Sequence, residues 1–224
     1  MNEAIEVVRH PRARSARLSV DPATGAVRLT IPRRASERAA RAWAESKRGW
    51  IEAQRAQLPQ PRPFVPGAEL PFAGETVRID WCERGARRPA IIDGILRCGG
   101  PREGLERRIE RWLRGEALAL LSAETEEFAE RAGVSVERVS VGDPRSRWGS
   151  CSSRGGIRYS WRLILAPTAV RRATVAHEVA HRVHMNHGPD FHALVAKIYG
   201  EDPSPARQWL RTHGAALHWF GRES

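Results

Sequence analysis

The 224-residue sequence predicts an α+β protein, with a strand-rich first part and a helix–strand–helix second part. Two observations predict it. Short runs such as RLSV, VRLTI and ETVRIDW alternate apolar and polar residues, as half-buried strands do. Longer stretches repeat apolar residues three and four apart, as amphipathic helices do.

Taken in order, residues 15–32 read as a hairpin, with DPATG supplying the turn. Ser36 is placed to cap a helix over 37–58, whose stripe includes Ala40, Trp43, Ala44, Trp50 and Ile51. Four prolines in LPQPRPFVPG make residues 58–67 an extended connector. ETVRIDW and AIIDGILRCG read as strands. Leu105, Ile109, Leu113, Leu121 and Phe128 share one face of a long helix over about 104–132, and Gly133 is suited to end it. VERVSVGD and GIRYSWRLILA read as strands around a turn-rich stretch. Three helices follow: one from Pro167, one over GPDFHALVAKIYG and one over SPARQWLRTHGAALHWF. A domain boundary is expected at GGPREG, giving residues 1–102 as a strand-rich basic domain with one long helix and 103–224 as the second domain.

Composition is that of an ordinary globular chain, 41% hydrophobic and 28% charged. No apolar run is long enough for a bilayer, so no membrane association is expected. The first 20 residues lack the apolar core of a secretory signal, and a cytoplasmic location is expected. Cys82, Cys98 and Cys151 lack C-x-x-C spacing and are expected to stay thiols, although Cys82 and Cys98 are placed to face each other across a hairpin. Net charge is +11, and residues 1–62 hold 13 Lys/Arg against 6 Asp/Glu. A basic flank of this kind suits nucleic acid or simply a solvated surface, and arginines scattered through the elements favour the second.

Five of the eight histidines lie in VAHEVAHRVHMNHGPDFH (175–192). His177-Glu178-Val179-Ala180-His181 is H-E-x-x-H. On a helix, residues four apart are offset by about 40° and about 6 Å, so both imidazoles can converge on one ion. Zinc accepts nitrogen ligands at about 2.0–2.1 Å and, in catalytic sites, keeps one position open. Glu178 is placed to act on the water that the ion activates. His184, His187 and His192 compete for the third ligand. His184 would stand about 10 Å up a continuous helix from His177, too far for a shared ion. His187 is better placed, because Asn186, Gly188 and Pro189 can end the helix and let the chain fold back. His192 falls on the next helix and reads as a packing residue. The spacing is also that of metzincins, but the only methionines are Met1 and Met185, so no downstream Met-turn exists.

With RWGSCSSRGGIRYSWRLILAP (147–167), HEVAH (177–181) and NHGPDFHALV (186–195) together, the chain resembles the YgjP-like metallopeptidases, relatives of the SprT-like and WLM proteins. The resemblance implies a zincin-like minimal core, an active-site helix packed on a small sheet. It implies Zn2+ held by His177, His181 and His187, with Glu178 as general base of peptide-bond hydrolysis. Val179 stands where relatives often have leucine, and His192 where they often have tryptophan. The expected partner is a peptide or protein substrate. A SprT-like alternative would add nucleic acid bound by the basic N-terminal part, and a further alternative is a non-catalytic zinc-stabilised domain.

The supporting residues are less sharply marked. WGSCSS can form a strand beside which a substrate pairs, or one packed tightly on the metal helix; Gly149, Ser150, Cys151 and Tyr159 are the candidate substrate contacts. Tyr159, Arg158 and His192 are candidates for stabilising an oxyanion. Trp148, Trp161, Trp209 and Trp219 are expected in the core.

Overall fold

The computed structural model describes residues 5–223 and is α+β. The chain forms two compact units, Met1–Gln60 and Pro61–Ser224.

In the first unit, β1 (Glu6–His10), β2 (Arg17–Val20) and β3 (Val27–Pro32) form a sheet of order β1-β3-β2. The expected hairpin is present as the antiparallel pair β2 and β3. Its turn is closed by Asp21 Oδ1, which accepts from the Ala23 amide at 2.8 Å. Leu29 and Ile31 alternate inward from β3 and pack with Ala40 and Ala44 of α1 (Glu37–Ser46). Ser36 Oγ caps α1, accepting from the Ala39 amide at 3.3 Å. The single helix expected over 37–58 is instead two, because the chain leaves helical geometry at Lys47 before α2 (Arg48–Ala56). Ser46 Oγ donates to the Trp43 carbonyl at 2.7 Å just ahead of the break, the kind of local bond that competes with a helix.

In the second unit, β4 (Glu69–Phe72), β5 (Glu75–Cys82), β6 (Ala90–Ile92) and β7 (Ile95–Gly99) form a sheet of order β4-β5-β7-β6. β5 and β7 run parallel, with Trp81 opposite Cys98 and Cys82 opposite Gly99. Cys82 and Cys98 therefore do not face each other, and all three cysteines are free thiols. α3 (Leu105–Ala132) is the central pillar. Leu105, Ile109, Leu113, Ala117, Leu121 and Phe128 are wholly buried along it, and Gly133 ends it with φ 66°. Each large side chain buried there contributes about 1.5–3 kcal/mol.

Residues 61–102 share this core, which differs from the division expected at 102/103. The Ala73 amide donates to the Ile164 carbonyl at 2.8 Å, Thr168 Oγ1 donates to the Ala73 carbonyl at 3.0 Å, and Phe72 stacks on Trp112 at 5.1 Å. Leu70, Val77, Ile79 and Leu96 bury their side chains in the same cluster as α3.

A second small sheet, order β8-β10-β9, follows α3: β8 (Arg138–Gly142), β9 (Gly149–Cys151) and β10 (Gly156–Ser160). WRLIL, expected to continue the strand, is a 3-10 helix, Trp161–Leu165, started by Ser160. Its apolar run is buried on all sides, so it carries no period from which strand and helix can be told apart. Next come α4 (Thr168–Ala180), α5 (Pro189–Tyr199) and α6 (Ser204–Leu217). Among the described residues, no helix is long and apolar enough to cross a membrane.

α4 is locked to α3 by a buried ion pair. Arg171 Nε lies 3.1 Å from both Glu124 oxygens, and Nη2 lies 3.0 Å from Oε1. The two side chains are only 4% and 7% exposed. Arg171→Met would leave the Glu124 carboxylate buried, with only Arg172 at 3.9 Å in partial compensation. The expected cost is about 3 kcal/mol of folding free energy, read from urea unfolding. A loss below about 1 kcal/mol would show that the pair does not anchor the helix.

Candidate metal centre

α4 carries His177 and Glu178 in its last turn, and His181 is its C-cap. The helix therefore stops several residues earlier than the Asn186–Pro189 break suggested. The segment after it turns back in a tight bend, in which the Arg182 amide bonds the Val179 carbonyl and the His184 amide bonds the Ala180 carbonyl. Gly188 is extended and Pro189 opens α5. This return brings His187 across to the helix. Its Nε2 lies 3.2 Å from Nε2 of His177.

One ring nitrogen from each of His177, His181 and His187 lies within 4.8 Å of the others. Among the described residues, no other group of three or more His, Cys, Asp or Glu side chains is so close. His184 does not join it through its side chain. Its carbonyl accepts a hydrogen bond from His181 Nδ1 at 3.0 Å. A carbonyl only accepts, so His181 carries its proton on Nδ1 and keeps the Nε2 lone pair for a ligand. His192 stands outside the triad, its ring 6.5 Å from that of His187.

Phe191, fully buried at the start of α5, underlies all three imidazoles, with ring centroids 4.9 Å from His177, 4.6 Å from His181 and 4.8 Å from His187. Its face and edge fix the orientation of the donors. The sequence reading passed over Phe191; the signal was its position four residues after His187, at the head of the helix that the glycine and proline begin.

The donor set fits a divalent metal of the zinc type. Two ligands at about 2.0–2.1 Å from one tetrahedral ion stand about 3.3 Å apart, close to the His177–His187 separation of 3.2 Å. Burial, together with the neighbouring His181 and His187, lowers the pKa of His177 to about 4. His181 is lowered as well, chiefly by burial. These two imidazoles are thus neutral at pH 7, the form that binds metal.

Glu178 is 6% exposed and lies against β9. Burial raises its pKa to about 7, with Arg147 pulling the other way. A side chain at residue 149 would exclude it: a Cβ on Gly149 would come 2.6 Å from Glu178 Cδ. Gly149 thus makes room for the carboxylate. Gly149→Ala is expected to displace Glu178 and lower turnover by about 10²-fold, with metal content intact. Turnover and metal assays on one preparation check both halves, and undiminished turnover would contradict this role for Gly149.

The other expected contacts separate. β9 is an edge strand, and Ser150 and Cys151 lie on it beside β10. Cys151 is no part of the triad. Burial raises its thiol pKa, Arg182 opposing. Tyr159 is wholly buried, and its hydroxyl is 3.0 Å from Thr125 Oγ1, so it cannot reach a substrate. Arg158 points to the other face of β10, against Gly142. Trp161 is fully buried as expected, whereas Trp148 is half-buried and lines a cavity beside His177 and Glu178.

Three converging imidazoles and an adjacent buried carboxylate, held by a helix, a return loop and a small sheet, define a candidate hydrolytic metal centre in an α+β chain. Residues 14–213 match the family model described as YgjP-like, metallopeptidase domain, and the chain belongs to this family. Metal-assisted hydrolysis is the activity of that class. No curated protein and no solved structure matches the chain.

Proposed function

We propose that the protein is a zinc-dependent peptidase with a zincin-like core, in which His177, His181 and His187 hold the ion and Glu178 is the general base. The observation that carries this reading is the convergence of the three imidazoles next to a buried glutamate in a metallopeptidase-family chain. Three protein donors suit a catalytic site, since a structural zinc site is closed by four.

A bound zinc ion would polarise the scissile carbonyl and lower the pKa of the attacking water. Glu178 takes the proton of that water and passes it to the leaving amine. Its pKa of about 7 suits both transfers near neutral pH. Phe191 and the His184 carbonyl keep the imidazoles oriented. β9 offers a free backbone edge, with no strand partner on its outer side among the described residues, along which an extended peptide can pair through Gly149, Ser150 and Cys151.

Metal analysis of the purified protein, followed by an unbiased peptide-library digest, tests the reading. About one zinc per chain and cleavage that disappears in Glu178→Gln are expected. Cleavage equal in the two proteins, or none by the zinc-loaded wild type, would contradict it.

A further inference from the structure

The cavity beside the histidines holds about 270 Å³, and His177 and Glu178 form part of its wall. Pockets for whole small molecules run from roughly 300 to 1,000 Å³. This one suits a single side chain. Trp148, Ala173, Val195, Ala206 and Leu210 make most of the remaining wall apolar. Trp148 is a rigid wall, held between His218 (ring centroids 5.3 Å apart) and Gly214, where an added Cβ would come 2.8 Å from its Cζ2.

Two arginines also line this space, Arg147 from the segment before β9 and Arg207 from α6. Arg207 is steadied by Ser204 Oγ at 3.0 Å. Arg147 is exposed, with no hydrogen bond or ion pair to any described residue. Both arginines share the wall of one cavity with His177 and Glu178. An apolar cavity bordered by two cations recognises an apolar side chain with a carboxylate nearby.

We propose that this cavity is the specificity pocket of the hydrolytic site. It takes an apolar side chain of the residue flanking the scissile bond, while Arg147 and Arg207 hold a carboxylate of the same peptide. The inference rests on the peptidase reading above. The carboxylate is either the chain terminus of the substrate or an acidic neighbour.

The test uses the full-length, zinc-loaded protein and a peptide library in free-acid and C-terminally amidated forms. Cuts that depend on Glu178 are expected to be flanked by leucine, methionine or phenylalanine, preferred over glycine at least about tenfold. Ala206→Phe, which fills the cavity, is expected to move that preference to glycine and alanine. Leu210→Ala, which widens it, is expected to move it toward larger side chains and serves should the first variant not fold. Arg207→Gln is expected to raise KM about tenfold, with little change in kcat. Loss of cleavage on amidation assigns the carboxylate to the chain terminus; retained cleavage with a preference for a nearby Asp or Glu assigns it to an acidic neighbour. Indifference to both carboxylates overturns the role of the arginines.

Calorimetry supplies a readout that needs no turnover. N-acetyl-leucine is expected to bind at least about tenfold tighter than N-acetyl-glycine, and Ala206→Phe to abolish the difference. Equal binding of the two overturns the pocket. Glu178-dependent cleavage without a flanking preference, or with one that neither cavity variant alters, also overturns the pocket and leaves the peptidase reading standing. Absence of any Glu178-dependent cleavage overturns the peptidase reading, and the pocket's role with it.

Discussion

Glu178→Gln is expected to keep wild-type metal content and to lower peptide hydrolysis by about 10²–10⁴-fold. Glutamine matches glutamate in shape, so it still fills the space above Gly149. It accepts no proton from water at neutral pH, so the loss falls on kcat. Glu178 is not among the three clustered donors, which is why the metal should stay. Wild-type turnover by this variant would remove Glu178 from the general-base role. Loss of the metal would mean instead that its carboxylate helps to hold the ion.

His177→Ala is expected to lose the metal and all activity with it. His177 Nε2 lies 3.2 Å from His187 Nε2, and its ring meets that of His181 edge-on at 5.0 Å. Without it, only two donors remain, one from the helix end and one from the return loop, their rings 4.8 Å apart. The variant should fold, because the core around Val175, Ala176 and Val179 is untouched. Thermal unfolding reports the difference without reference to activity. Zinc at 100 times its dissociation constant stabilises a binding-competent protein by about 2.7 kcal/mol. The wild-type melting temperature should therefore rise on zinc addition and that of His177→Ala should not. A similar rise in both proteins would contradict the ligand assignment.

The α+β class, the hairpin, the cap at Ser36, the long central helix and its Gly133 terminus were all legible in the sequence, because each is written in local periodicity or turn chemistry. The close approach of His177, His181 and His187 was legible for the same reason: two positions four apart on a helix and a third past a Gly-Pro break have few ways to meet. What sequence hid is tertiary. Arg171 and Glu124 lie 47 residues apart, and nothing local marks them as partners. α4 ends at Ala180 with no glycine or proline at that point, in a tight bend closed by backbone hydrogen bonds to Val179 and Ala180. WRLIL read as a strand because a run buried on every side carries no alternation by which strand and helix can be told apart. Residues 61–102 joined the second unit through contacts such as Phe72 on Trp112, which the Gly-Pro punctuation near 100 conceals. Tyr159 looked available for a substrate until burial and Thr125 took it.

X-ray absorption at the zinc edge of the loaded protein, run beside His187→Ala, bears most directly on three histidines sharing one open-sided ion. Three imidazole nitrogens at about 2.0–2.1 Å with the remaining position filled by a solvent oxygen are expected in the wild type, and one imidazole fewer in the variant. A sulfur neighbour at about 2.3 Å, or a wild-type spectrum unchanged by loss of His187, would contradict it.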